Sequence, residues 1–131
     1  MFIDASALIA MMTDEDEARR LAVRMQASTT RMISPQEVAE TAIGITAILG
    51  LAIEEASTAV RTFLQLANIQ LLAVPPRAAF LAAEAFAAYG EGRHPANLSL
   101  AQCMTYACAR YYRQPLLCRA EAFALTDIER A

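Results

Sequence analysis

The sequence predicts an α/β domain with a short, mainly parallel sheet. Three observations point there. Four short apolar stretches, "MFI", "RMIS", "NIQLLAV" and "QPLLC", are separated by longer segments whose apolar residues recur at helical spacing. Alternation of this kind is what a sheet with crossover helices requires. The 131 residues suit one domain, 1–131, large enough to bury a core without disulfide or metal support.

Each element has its own signals. "MFI" reads as a buried strand that delivers Asp4 to a strand-to-helix junction, with a helix from Ala5 to about Met12. Thr13 and Asp16 form a cap-like T-x-x-D that would start the next helix, running to about Ala27. "RMIS" at 31–34 is a second strand. Ser34, Pro35 and Glu37 supply an N-cap, an N1 proline and an N3 acid, and Gly50 a stop, so a helix spans the interval with Val38, Ala42, Ile45 and Leu49 inward. Ile53, Ala56, Val60, Phe63 and Leu64 mark the following helix.

"NIQLLAV" at 68–74, closed by Pro75-Pro76, is a third strand. Residues 76–89 form an Ala-rich helix with Phe80, Leu81 and Phe86 inward and Gly90 as terminator. "GEGRHPAN" at 90–97 is a loop. Ser99 and Gln102 match an S-x-x-Q capping box opening a helix whose inward stripe includes Leu100, Cys103, Met104, Ala107, Cys108 and Tyr111. "QPLLC" is the last strand, and Glu121 follows it.

Composition narrows the function classes. No apolar run is long enough to span a bilayer, and the N-terminus lacks the basic flank of a signal peptide. Cys103, Cys108 and Cys118 are odd in number, lack CxxC spacing and have one His to help them, which predicts a reduced, cytoplasmic protein without a zinc site. With 11 basic and 14 acidic residues the net charge is −3, so the chain is no general polycation, although Arg93, Arg110, Arg113 and Arg119 gather late in it.

Four acids from distant segments stand out: Asp4, Glu40, Glu121 and Asp127. Singly each has an ordinary explanation, Asp4 as an N-cap and Glu40 as an acid in the first turns of its helix. Gathered at one sheet edge they would need a cation, and hard oxygen ligands suit Mg²⁺ or Mn²⁺. G-x-S-x-G and Walker A motifs are absent, and the single His94 lies in a Gly/Pro loop, so hydrolase triads and nucleotide cradles lack support.

"MFIDASALIA", "SPQEVAETAIGI", "YGEGRHPANLSLAQCMTYA" and "PLLCRAEAFALTDI" resemble, in order and spacing over essentially the whole chain, the signature blocks of PIN-domain proteins, most closely the VapC toxins. The resemblance implies a three-layer α/β/α fold and a Mg²⁺- or Mn²⁺-dependent endoribonuclease, the toxin of a toxin–antitoxin pair. It also implies a small antitoxin partner, an RNA substrate and a homodimer. Asp4 and Glu40 take the places of the first two family acids, with Ser6 as a neighbouring hydroxyl.

Two places depart from the family pattern. Gln102 stands where the late helix usually carries Asp, and Ala122 stands at the usual fourth acid, with Glu121 one residue early. The expected catalytic and metal-binding set is therefore Asp4, Glu40 and Glu121, with Gln102 as a neutral carbonyl donor and Ser6, Arg93 and Arg119 toward substrate. The alternative is a catalytically inactive PIN-fold module that binds an antitoxin, RNA or itself. A third reading makes the chain an unrelated α/β protein whose acids are caps and surface charges.

Overall fold

In the computed structural model, which describes residues 1–131, four two-residue strands pair in parallel. They are β1 (Phe2–Ile3), β2 (Met32–Ile33), β3 (Gln70–Leu71) and β4 (Leu116–Leu117), arranged side by side as β3-β2-β1-β4. Helices α1 (Ala5–Met12) and α2 (Ala18–Gln26) connect β1 to β2, and α3 (Pro35–Leu49) and α4 (Ile53–Leu66) connect β2 to β3. Helices α5 (Ala78–Tyr89) and α6 (Leu100–Tyr111) lead back to β4, and a 3₁₀ turn, Glu121–Leu125, follows it.

Successive strand residues point to opposite faces of a sheet, and here that alternation separates two cores. Ile3, Ile33 and Leu117 pack with Leu8, Leu21, Ile45, Val60 and other residues of α1–α4. Phe2 and Leu116 pack with Ala82, Ala85, Cys103, Ala107 and Phe123 on the α5–α6 side. The result is the expected α/β fold with helices on both faces.

The strand order carries the functional consequence. From β1 the chain moves outward through β2 to β3, then returns to place β4 on the other side of β1. Order reverses between β1 and β4, so the crevice at their C-terminal ends is the switch point where sites form in open α/β sheets. Asp4 leaves β1 at that crevice, and Cys118 and Arg119 leave β4 there.

Several local expectations are corrected. Thr13 does not open α2: it closes α1, its N–H and its hydroxyl both donating to the Ile9 carbonyl at 2.9 and 2.8 Å. A left-handed Asp14 then turns the chain, and α2 begins only at Ala18. On α3 the buried face is Glu37, Thr41, Ala42 and Ile45, while Leu49 is exposed, because two polar residues face inward and rotate the stripe. Phe80 lies outside on α5, whose small inward residues Ala78, Ala82 and Ala85 let α6 approach closely, and Leu100 and Tyr111 are exposed at the ends of α6. Ile53 is likewise exposed at the start of α4.

Gly90 ends α5 for a spatial reason rather than a left-handed one. Its φ is −71°, and a Cβ there would collide with the Phe86 carbonyl oxygen and ring. Gly50, at φ 66°, is the left-handed stop that α3 was expected to have.

Candidate active site

Asp4 is fixed by the start of α1. Its Oδ2 accepts the Ser6 N–H at 3.1 Å, the N-cap bond, and the Ser6 hydroxyl at 2.5 Å. The Ser6 oxygen in turn accepts the Arg119 and Ala120 N–H groups at 2.9 and 3.2 Å, tying the segment after β4 to the residue after β1. The Ala5 N–H and the Thr105 hydroxyl also favour the ionised carboxylate. Burial of the side chain, 7% exposed, pushes the Asp4 carboxyl above its ordinary range, against the pull of its hydrogen bonds.

Glu40 projects from the second turn of α3, half-buried. The Gln36 amide donates to Glu40 Oε1 at 3.0 Å and to the Ala101 carbonyl at 2.8 Å, so it orients the carboxylate and stitches α3 to the first turn of α6. Burial raises the Glu40 carboxyl, and the Asp4 charge raises it further. Glu40 is therefore near enough to Asp4 to feel its charge.

A third acid belongs to this neighbourhood, and the sequence offered it only as the N3 residue of a capping box. Glu37 is wholly buried. Its Oε2 accepts the Ser34 N–H at 3.2 Å and the Ser34 hydroxyl, while Oε1 accepts the Thr105 hydroxyl from α6 at 2.7 Å. Burial raises its carboxyl, and the Asp4 charge adds to the rise. The S-x-x-E pattern accounts for Oε2 alone. The partner of Oε1 lies 68 residues away, so no local signal could reveal it.

The remaining predicted residues divide. Gln102 is held in its cap: Ser99 N–H donates to Gln102 Oε1 at 3.0 Å and Gln102 N–H to Ser99 Oγ at 3.2 Å, leaving its carbonyl engaged. Glu121 begins the 3₁₀ turn exposed and without a hydrogen-bond or salt-bridge partner. No three acidic, His or Cys side chains stand close enough to share a metal ion, so Asp4, Glu40 and Glu121 are not brought together as a set.

Ser6 is spent on Asp4 and two backbone N–H groups rather than directed outward. The Arg119 guanidinium pairs with Glu15 beside the crevice. Arg93 lies 5.6 Å above the Phe86 ring, in the exposed loop after α5. Asp127, whose role was open, accepts the Tyr106 hydroxyl at 2.6 Å and pairs with Arg110 at 2.5 Å. It clasps the C-terminal segment to α6 instead of joining the acids.

A parallel α/β/α fold with acids at the switch point now meets the comparisons with known proteins. The PIN domain family model matches residues 1–128. The chain belongs to the PIN-domain family. Ribonuclease VapC30 of Mycobacterium tuberculosis is 38% identical over 128 residues, 98% of this chain and 95% of that protein. Ribonuclease VapC of Mycolicibacterium smegmatis is 39% identical over 128 residues, 98% and 97% of the two chains. The crystal structure of M. tuberculosis VapC20, a toxin that cleaves the sarcin-ricin loop, superposes with a TM-score of 0.75 over 99% of this PIN domain and 97% of that chain. At 18% identity that likeness shows the fold.

PIN-domain VapC nucleases generally depend on a divalent metal ion. Against that requirement this PIN domain presents the carboxylates of Asp4 and Glu40, each with one oxygen held by a side-chain donor, and a Glu37 whose oxygens are both occupied. Mg²⁺ commonly takes one or two carboxylates and completes its octahedron with water and substrate phosphate. The donor set fits such a water-rich site. It does not fit a cage of three acids.

Proposed function

We propose that this chain is a VapC-type endoribonuclease that cleaves RNA with Mg²⁺ or Mn²⁺ held by Asp4 and Glu40. The observation that carries this reading is Asp4 at the reversal of strand order, tied through Ser6 to the segment after β4, with Glu40 near enough for the Asp4 charge to raise its carboxyl. The chemistry a bound divalent cation supplies is neutralisation of charge on a phosphate and activation of water for attack.

The protein's own contribution is positioning. Ser6 fixes Asp4 Oδ2, and Gln36 fixes Glu40 Oε1. Arg119, close to Ser6 through its backbone, is the basic side chain best placed to meet an RNA phosphate, in exchange for its present partner Glu15. Gln102 adds a helix cap and no charge, so the cation is held by fewer acids than the family pattern provides.

The partners in this reading are a small antitoxin and a second copy of the chain. Ile43, Ile48, Leu49 and Ile53, exposed along α3 and α4, support such association. Three buried, unpaired cysteines support a cytoplasmic, reducing setting.

The second reading is a binding module without turnover, favoured by the capped Gln102 and the absence of any three-acid cluster. Mn²⁺-dependent cleavage of a structured RNA by the purified chain, set beside Asp4→Asn, decides between them. Cleavage by the wild type that Asp4→Asn loses supports the enzyme. Equal background from both supports the binding module.

A further inference from the structure

Arg77, Leu81, Arg110, Tyr111 and Arg113 line a cavity of about 380 Å³ between the start of α5 and the end of α6. Three of its five side chains carry a guanidinium and none is acidic, in a chain whose net charge is −3. Like charges gathered in one place repel, and an anion relieves them. Asp127 offsets Arg110 alone. Arg77 and Arg113 are exposed, with no carboxylate within ion-pair distance.

The lining is partly preset. Arg110 Nε donates to the Tyr106 hydroxyl at 3.2 Å, its Nη2 pairs with Asp127, and its guanidinium stands 5.5 Å over the Tyr106 ring. A fork fixed in this way loses little freedom on meeting a ligand, and its shape matches phosphate. Tyr111 adds an aromatic surface. It is 43% exposed and rests edge-on against Tyr112, with ring centroids 5.0 Å apart, while the Tyr112 hydroxyl donates to the Ala73 carbonyl at 2.6 Å.

This cavity is separate from the crevice of Asp4 and Glu40. Helix α6 opens beside that crevice, where the Ala101 carbonyl accepts the Gln36 amide. Tyr111 ends the helix about 15 Å along its axis from Ala101. Arg113 and Gln114 follow, and Gln114 Oε1 accepts the Met1 amino group at 2.8 Å, so the cavity belongs to the end of the sheet where β1 and β4 begin.

Guanidinium groups for phosphate beside an aromatic ring for a base are the parts of a single-strand nucleic-acid site. The volume lies in the range of pockets that hold one small molecule, roughly 300–1,000 Å³, which admits an unpaired nucleotide but not a base stacked inside a duplex. An acidic peptide would use the arginines and leave Tyr111 idle. We infer that this cavity is a second RNA-binding site, taking backbone phosphates of an unpaired strand on Arg77, Arg110 and Arg113 and a base against Tyr111. It goes beyond the cation-dependent reading of the crevice, because binding here needs neither Asp4 nor a metal ion.

Fluorescence anisotropy of the full chain with a short, labelled, unstructured RNA tests it, in EDTA so that no cation-dependent cleavage runs. Arg77→Gln combined with Arg113→Gln should weaken binding about tenfold, with the slope of log K against log salt shallower by about 1.4 for two lost charges. Tyr111→Ala should weaken binding about tenfold with that slope unchanged, the mark of lost stacking. All three side chains are exposed, and a wild-type melting temperature confirms that each variant is folded. Wild-type affinity and slope in the folded double variant overturns the inference, as does an absence of RNA binding by the wild type. An oligoglutamate peptide that binds more tightly than RNA and needs the same two arginines also overturns it, and assigns the cavity to an acidic protein segment. Each of these failures leaves the crevice reading standing wherever Mn²⁺-dependent cleavage is lost in Asp4→Asn. Conversely, RNA binding that needs Arg77 and Arg113 sustains the cavity even where the wild type shows no cleavage.

Discussion

Ser6 donates its hydroxyl proton to Asp4 Oδ2 across 2.5 Å while its oxygen accepts the N–H groups of Arg119 and Ala120. One hydroxyl therefore joins the ends of two adjacent strands, β1 and β4, and orients the acid between them. That geometry makes Ser6 a structural centre of the crevice, with no hydrogen left for substrate.

Ser6→Ala should act on stability and on the site together. Two backbone N–H groups lose their acceptor and Asp4 loses a donor, which should cost about 2 kcal/mol in unfolding free energy. The Asp4 carboxyl should also rise further, since the hydroxyl that favours its charged form is gone. Urea unfolding and Mn²⁺ titration of the same variant check both halves. A loss of RNA affinity with stability and Mn²⁺ binding intact would instead assign Ser6 to the substrate.

Stability of the metal-free chain should fall as pH rises. Asp4, Glu37 and Glu40 all have carboxyls raised in the folded state, so the native chain holds protons that the unfolded chain releases. Their contribution is fully present below the ordinary carboxylate range and is lost as pH climbs through the raised values. Asp127 is lowered by Tyr106 and Arg110 and works in the opposite sense, but it is half exposed and its share is small. In EDTA the melting temperature should be higher at about pH 5 than at about pH 7.5, with Glu37→Gln flattening the slope. A melting temperature that rises over this interval would contradict the electrostatic account.

Asp127→Asn should leave the crevice untouched. Its carboxylate holds Tyr106 and Arg110; burial pushes the Tyr106 phenol up to about 12, and the Asp127 contact adds to the rise. The substitution should cost about 1 kcal/mol, with solvent screening of the exposed ion pair keeping the figure low. Tyr106 should then titrate at lower pH in an ultraviolet difference spectrum, and Mn²⁺ affinity should equal that of the wild type. Weakened Mn²⁺ binding would return Asp127 to the acid cluster.

The sequence by itself determined the elements and offered Asp4 and Glu40 as candidate acids. The alternation of apolar runs with helical stretches predicted a parallel sheet. The boxes at Ser34 and Ser99 marked the starts of α3 and α6, and Asp4 was placed at the C-terminal end of a strand. Those features are local, set by backbone donors and side chains within one turn of each other, so they can be read along the chain. The tertiary structure alone decided which faces turn inward. Glu37 and Thr41 rotate the α3 stripe away from Leu49, small residues exclude Phe80, and the turn at Asp14 delays α2. It also decided which distant side chains bond to one another. The Thr105–Glu37 bond spans 68 residues and the Ser6–Arg119 bond 113, and contacts that long exist only once the sheet has set β4 beside β1 and α6 beside α3. For the same reason Glu37, a capping residue by motif, gains a partner on α6 that no local signal reveals.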